Sequence, residues 1–483
     1  MATECELKLE LPATTDPEAL RALLALGPSR VTKMRAVYFD TPDFALASHD
    51  CSLRIRQEGR RRVQTVKAGG EPSSGLMTRQ EYEQPAKGQT PSLDADNPVT
   101  LLLGERVEEL APRFDVAVTR RTWLLDSGRA EIELALDLGE AHAGRQACKF
   151  CEVEAELLSG DVSELFLLGR RISRLAPARV GVLTKAQRAQ RLLRDPDKVD
   201  KAKTVGLRPE MTTGEAFRAV VHSCIAHYRL NESRLLLTDE PEAVHQARVA
   251  LRRLRTALRI FRPIAGGKRL RRFNDEARWL AAQLGTARDL DVLLDRATEP
   301  AARKRIAAAR VEAYAHMRLA IESDLARELM IELAEWLTVG KWTRGGNKLR
   351  DAPVTHLAAR AIGQLDKRLG SLGDAVGGPD DEQRHEARKT AKKLRYAIEF
   401  FSRLYDQGKL RKDRIRYLAG LEELQDHLGI LNDMAIMPEA LHRLGISSDA
   451  AEGMAQQVGR VDLLRLQAAD AMTAIRDAQP FWN

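Results

Sequence analysis

Polar and apolar side chains alternate with period two through much of residues 1–190. ECELKLEL puts Glu4, Glu6, Lys8 and Glu10 on one face and Cys5, Leu7, Leu9 and Leu11 on the other. SLRIRQ, RRVQTVK, TRQEYE, VAVTRRTW, AEIELALDL and KFCEVEAEL repeat the pattern. Each predicts a short strand with one apolar and one charged face. Turn signals separate them at Gly69-Gly70, Pro72 to Gly75, Pro85 to Pro91 and Ser127-Gly128. Such strands form either an open sheet with its charged face in water or a barrel with a charged lumen. Helical periodicity interrupts them at 16–26, 98–111, 161–175 and 184–194.

Residues 196–213 carry two prolines, many charges and little apolar periodicity, which predicts a linker between a first domain at 1–195 and a second at 214–483. From 214 onward apolar residues recur at i, i+3, i+4 and i+7 in segments rich in Ala, Leu, Arg and Glu. Breaks near 238–241, 263–268, 298–300, 338–353, 370–381 and 407–409 divide them into long amphipathic helices. The chain is therefore expected to be an α+β multidomain protein with an all-α second half.

Composition narrows the class. With 44% hydrophobic and 30% charged residues in 483, the chain can bury cores, which excludes wholesale disorder. No run approaches about 18 uninterrupted apolar residues, so no membrane span is expected. The acidic start MATECELKLE does not resemble a signal peptide. Five scattered cysteines fit a reducing compartment, so a cytoplasmic location is expected. Residues 1–200 hold 29 basic and 31 acidic side chains, the remainder 48 and 38. The net charge of +8 thus lies in the helical half, which should attract polyanions.

That half contains a repeat. His245-Gln-Ala-Arg248-Val-Ala-Leu-Arg252-Arg253-Leu254-Arg255 answers His385-Glu-Ala-Arg388-Lys-Thr-Ala-Lys392-Lys393-Leu394-Arg395, offset by 140 residues at every position. Phe261 and Phe401 continue it, as do Leu284-Gly285 with Arg288-Asp289 and Leu428-Gly429 with Asn432-Asp433. Histidine and bases at i, i+3, i+7 and i+10 stack on one helix face. A single basic helix face is ordinarily a solvated one. Two ladders in which only Arg395 has an acidic residue at i+4, Glu399, instead predict a polyanion site. The pattern resembles the CHAD domain, a conserved-histidine α-helical domain, over residues 214–483. The resemblance implies two pseudo-symmetric helical bundles and a polyphosphate-binding groove. It would be lined by His245, Arg248, Arg252, Arg253, Arg255, His385, Arg388, Lys392, Lys393 and Arg395.

The strand half pairs carboxylates with bases. Carboxylate clusters suit a hard divalent cation, and Arg and Lys suit phosphate oxygens. Cross-strand ion pairs on an exposed sheet would account for any one pair but less well for six strands of them. The ordered set Glu4-x-Glu6-x-Lys8, Tyr38-Phe39-Asp40-Thr41, Leu53-Arg54-Ile55-Arg56, Val66-Lys67, Arg79-x-Glu81-x-Glu83, Leu136-Asp137-x-Gly139, Glu152-x-Glu154-x-Glu156 and Thr184-Lys185 resembles the CYTH superfamily of triphosphate tunnel metalloenzymes. The resemblance covers residues 1–195 and implies an eight-stranded antiparallel tunnel with flanking helices, using Mg2+ or Mn2+. It implies metal ligands among Glu4, Glu6, Asp137, Glu152 and Glu154, with Glu81 and Glu83 completing the carboxylate shell or positioning water. Phosphate grips would be Lys8, Arg54, Arg56, Lys67, Arg79, Arg120 and Lys185, the last on a helix that plugs one tunnel end.

A CYTH domain followed by a CHAD domain resembles bacterial inorganic triphosphatases, with tripolyphosphate and long-chain polyphosphate as the implied partners. Two other functions compete: a class IV-type adenylate cyclase on the same tunnel, and a catalytically inactive module that tethers polyphosphate. No Gly-rich P-loop appears, and few aromatics with no nucleic-acid motif argue against specific nucleic-acid reading. Cys148-x-x-Cys151 lacks a second pair and lies across a strand, so no zinc site is expected.

Overall fold

The computed structural model describes residues 2–69, 76–193, 198–446 and 461–482. They fall into two compact units: Met1–Val199 with Glu322–Thr343, and Asp200–Ile321 with Arg344–Asn483.

The first unit is built on antiparallel strands β1 (Ala2–Leu11), β2 (Arg30–Asp40), β3 (Ser52–Glu58), β4 (Arg61–Ala68), β5 (Leu76–Pro85), β6 (Ala111–Asp126), β7 (Ala130–Ala143) and β8 (Gln146–Gly160). The order β5-β4-β3-β2-β6-β7-β8-β1 returns on itself, because β1 also pairs with β5. A ninth strand, β9 (Arg179–Val180), adds two residues beside β1. Each of the eight long strands therefore has a strand on both sides, and the sheet has an inside.

The alternation assigns the faces. Lys8, Arg54, Arg56, Lys67, Arg120 and Glu154 line the interior, while their neighbours Leu7, Leu9, Leu53, Ile55 and Val153 are buried on the outer face. The apolar sides thus face outward and need covering. Helices α2 (Ala45–Ser48) and α3 (Pro98–Leu103) cover one side, where Leu46, Val99 and Leu103 join Phe39, Leu53 and Val66 in one core. Tyr38-Phe39-Asp40-Thr41 is explained by this corner: the buried Asp40 carboxylate accepts from the backbone N–H groups of Thr41, Leu46 and Ala47 and holds the start of α2. Helix α1 (Pro17–Leu23) follows β1, and α4 (Ser163–Leu175) crosses outside it. Gly169 lets α4 approach so closely that a Cβ would lie 2.7 Å from Leu7 Cδ2. The last helix of this stretch, α5 (Lys185–Arg191), is held by a Thr184–Gln187 capping box and packs inside the ring, with Ala189 against Ala36, Val118 and Phe150.

Strand β2 was not among the alternating segments. Its inward positions Met34, Ala36 and Tyr38 are as apolar as the outward Val37 and Phe39, so period two leaves no polar trace there.

From Thr213 the chain is helical: α6 (Thr213–Leu235), α7 (Pro241–Ile260), α8 (Arg262–Ala265), α9 (Lys268–Arg296), α10 (Pro300–Glu322), α11 (Asp324–Val339), α12 (Lys348–Asp351), α13 (Val354–Ser371), α14 (Gly373–Val376), α15 (Asp381–Phe401), α16 (Gly408–Arg443) and α17 (Val461–Asp477). In the second unit the repeat is visible as α6–α7–α9 answered by α13–α15–α16. The two sets meet where α7 packs on α15, with Phe261 and Phe401 at a ring separation of 6.1 Å. Helix α11 belongs to the first unit, packing on α4 and β9. A single boundary at 196–213 leaves out this return of the chain. No helix among the described residues is long and apolar enough to cross a membrane.

Candidate active site and basic helical face

Strand register builds the first site. Asp137 on β7 lies opposite Arg120 on β6 and Glu152 on β8, and Glu152 lies opposite Glu10 on β1. One row along, Glu154 lies opposite Lys8. Cross-strand neighbours on one face are about 5 Å apart, close enough for their side chains to converge. Oxygens of Asp137, Glu152 and Glu154 come within 4.8 Å of one another. Asp137 and Glu152 are fully buried, and Glu154 is 12% exposed.

Bases close around this triad. Arg120 grips Asp137 through two bonds of 2.8 and 2.7 Å and reaches Glu154 at 2.5 Å. Lys8 Nζ lies 3.3 Å from Glu152 and 2.8 Å from Glu154. Lys185 Nζ lies 2.8 Å from Asp137 Oδ2, 2.6 Å from Glu152 Oε1 and 2.7 Å from Glu154 Oε1. Burial pushes the Glu154 carboxyl up, but Lys185, Lys8 and Arg120 outweigh it and hold it well below the usual carboxylate range. Asp137 is likewise lowered against its burial by Lys185 and Arg120. Burial opposes the charge on Lys185, yet the three carboxylates hold its pKa well above the ordinary lysine value.

Two glycines make the arrangement possible. A Cβ on Gly139 would fall 2.1 Å from the Phe150 ring, and that ring lies beneath the Arg188 guanidinium at 5.0 Å. A Cβ on Gly181 would fall 2.5 Å from Lys8 Cγ. Arg188, three residues after Lys185 on α5, bonds Glu10 at 2.8 Å and lies 3.6 Å from Glu152 Oε2. Sequence reading missed it, although the i+3 spacing from Lys185 places both on one face of α5.

A cavity of about 730 Å³ opens beside the triad. Its far wall carries Arg54, Arg56 and Lys67, held by Glu81 and Glu83. Lys67 lies 3.2 Å and Arg54 3.8 Å from Glu81, and Arg56 lies 3.3 Å from Glu83. Glu6 and Glu156 line the cavity as well, while Met34, Ala36, Val116 and Val118 make an apolar wall. The five carboxylates expected to hold metal therefore divide: Asp137, Glu152 and Glu154 cluster, and Glu6 lines the cavity outside that triad. The side chains of Glu4 and Arg79 lie outside the described residues; their backbones pair across β1 and β5. Arg120 faces the lumen, whereas Arg121 points outward to Glu18 at 2.7 Å.

In the helical unit the ladders are less uniform than their spacing. The charges of His245, Arg248, Arg252 and Arg288 interact on one face, and Arg388, Lys392, Arg252 and Asp433 on the adjoining one. Burial, then Arg252, Arg388 and Arg395, push the Lys392 pKa down to about 6 against the pull of Asp433. Burial is also the main reason His245 falls to about 4. Arg248 bonds the Gly285 carbonyl at 2.8 Å, and His385 Nδ1 lies 2.7 Å from Asn432 Oδ1.

Arg253, expected in the groove, is placed differently from its neighbour Arg252. It is 3% exposed, paired with Glu399 and stacked on Tyr396 and Phe400, so it joins α7 to α15. At eight residues from His245, it lies about 80° round the helix from that ladder. Arg255 is turned toward Asn274 and Arg278, and Lys393 toward Arg259 and Glu386, away from the Arg252–Lys392 cluster. Cys148 and Cys151 are free thiols, and His222 and His227 are buried, their pKa values driven by that burial to about 3 and about 4.

A ring of antiparallel strands enclosing carboxylates and bases, followed by duplicated basic helices, defines the class. The CYTH domain family matches residues 2–189 and the CHAD domain family residues 219–442, so the chain carries a CYTH domain followed by a CHAD domain. An inorganic triphosphatase of Haemophilus influenzae is 36% identical over 133 residues, 27% of this chain and 37% of that protein. The match thus spans little more than a third of that relative's length. An uncharacterised protein of Mycobacterium tuberculosis is 27% identical over 430 residues, 81% of each chain. The crystal structure of the CHAD domain from the plant Ricinus communis aligns with a TM-score of 0.51 at 27% identity, covering 59% of this chain and 98% of that one.

Proposed function

We propose that the first unit hydrolyses inorganic tripolyphosphate to pyrophosphate and orthophosphate with Mg2+ or Mn2+, and that the helical unit binds long-chain polyphosphate. The observation that carries this reading is the buried Asp137–Glu152–Glu154 triad facing a cavity whose other wall is Arg54, Arg56 and Lys67. Anionic ligands for a hard cation and guanidinium grips for phosphoryl oxygens are what a metal–triphosphate needs.

The triad fits a divalent ion. Its oxygens converge, Lys185 and Arg120 hold Asp137 and Glu154 in the charged form, and Glu152 Oε2 is buried without a hydrogen-bond partner. When bound, the ion would neutralise charge on the phosphoryl oxygens and lower the pKa of a ligated water. The chain's own residues do the rest. Arg54, Arg56 and Lys67 hold non-bridging oxygens in line, at positions Glu81 and Glu83 already fix. Lys8 and Arg120 line the cavity beside the triad and would stabilise charge developing on the bridging oxygen. Glu6, on the cavity wall, would take a proton from attacking water. Burial of the triad strengthens the interactions made there.

The apolar wall of Met34, Ala36, Val116 and Val118 favours one alternative, a nucleoside triphosphate with its base against that wall. Release of phosphate from tripolyphosphate, ATP and long polyphosphate, side by side with Mg2+ and Mn2+, separates the two. Fast orthophosphate release from tripolyphosphate supports the proposal. Turnover of ATP alone, or its cyclisation, overturns it. Glu152→Gln should lower tripolyphosphate turnover by at least about 100-fold, since removing one electrostatic partner of a transition state costs this much.

A further inference from the structure

Lys185 occupies the place a metal ion would take. Its ammonium carries three protons and meets three carboxylate oxygens, Asp137 Oδ2, Glu152 Oε1 and Glu154 Oε1, at 2.6–2.8 Å. A divalent cation would bind such oxygens at about 2.0–2.6 Å. An ammonium and a divalent ion cannot share these three oxygens, because two like-charged centres would stand within about 3 Å of one another in a poorly screened interior.

We propose that Lys185 is a built-in counter-cation that keeps the carboxylate triad closed to metal until phosphate draws it away. The inference rests on the tunnel being a metal–triphosphate site and adds how that site is loaded.

The surroundings make Lys185 the mobile partner. Lys8 and Arg120 come from strands paired on both sides, and Lys8 is pinned under Gly181. Lys185 is the first residue of α5, its side chain 12% exposed toward the cavity. Helix α5 does not depend on it. The Thr184–Gln187 box caps the helix, Arg188 ties it to Glu10, and Ala189 packs against Phe150. The long lysine stem can therefore swing into the cavity while its helix stays in place. A triphosphate there offers it new anionic partners and frees the triad in the same movement. Metal and phosphate then assist one another, and by linkage the assistance is reciprocal.

The test uses the full chain and Mn2+ alone, with free ion followed by its paramagnetic resonance signal and binding heat by calorimetry. Wild type should bind Mn2+ weakly without phosphate. Lys185→Gln should bind it at least about tenfold more tightly, and Lys185→Arg should stay with wild type because the charge remains. Removing the counter-cation leaves repelling carboxylates, and a Lys185→Gln chain that is unfolded without metal is the second readout. In that case Mn2+ should restore its circular dichroism at concentrations that leave wild type unliganded. Equal Mn2+ affinity in wild type and Lys185→Gln overturns the proposal, as does absence of saturable binding or of refolding in that variant. The triphosphatase reading is judged separately, by wild-type phosphate release from tripolyphosphate with Mn2+. It stands if release occurs with equal affinities and falls if no release occurs.

Discussion

Arg252 and Arg253 are adjacent and chemically identical, yet their surroundings give them different work. Arg252 lies with Arg388 and Lys392 among like charges, whereas Arg253 is buried against Glu399, Tyr396 and Phe400. Arg253→Ala should therefore destabilise the helical unit by about 2 kcal/mol, since it removes a buried guanidinium that packs on Tyr396 and Phe400, although Glu399 keeps Arg395 at 3.4 Å. Arg252→Ala should leave the melting temperature within a degree or two, or raise it, by relieving repulsion, while weakening polyphosphate binding. Denaturant titration beside calorimetry distinguishes them; equal stability losses would mean both are structural. The ladder was legible from the i, i+3, i+7 spacing. The fate of Arg253 was not, because the facing helix that buries it comes from the other repeat, 140 residues away. The acidic triad shows the same limit. Alternation placed Glu152 and Glu154 on the charged face, but which carboxylates converge depends on the register β6–β7–β8–β1, and that is set by turns and bulges outside any single strand.

At the scale of elements, the strands with one charged face were the most legible, since every second residue declares its side. The apolar faces that turn outward oblige helices to cover them, and one cover is borrowed. Helix α11 carries buried Ala326, Leu329, Met330, Leu333, Ala334, Trp336 and Leu337, and is tied to α4 by Arg170–Glu335 and by Arg174–Glu328 at 2.7 Å. Nothing in its periodicity distinguishes it from its helical neighbours, so sequence reading grouped it with them. A fragment of residues 1–199 lacks this cover. It is expected to bind a hydrophobic dye and to melt well below the first transition of the full chain, since an uncovered face of this kind forfeits about 25 cal/mol per Å². Equal melting temperatures would show that α4 is sufficiently covered without α11. The same substitution logic reaches the site through Gly139: a methyl there displaces Phe150, on which Arg188 rests, so Gly139→Ala should lower activity although it touches no substrate.

For the molecule as a whole, the interleaving of the two units in sequence means that one cut cannot separate them intact, and tests of the basic face belong on the full chain. There the charge state of Lys392 makes a distinctive prediction. Its pKa of about 6, against an ordinary 10.5, leaves it largely neutral at neutral pH without ligand. Burial sets this first, followed by Arg252 on α7 and Arg388 and Arg395 on α15, with Asp433 on α16 opposing. A polyphosphate chain beside it would favour the ammonium and raise that pKa, so binding takes up a proton. Affinity should then strengthen as pH falls through the window between the bound and free values. The slope from this group should not exceed about tenfold per pH unit, and it should flatten below about pH 6, where the free lysine is already charged. Raising salt should weaken binding at every pH by screening the polyanion. Lys392→Arg should keep the binding and lose the slope, because a guanidinium does not titrate in this range. Calorimetry in buffers of different ionisation heat counts the protons directly. A slope that survives in Lys392→Arg would assign it to another group, and tripolyphosphate hydrolysis should be unchanged in that variant throughout.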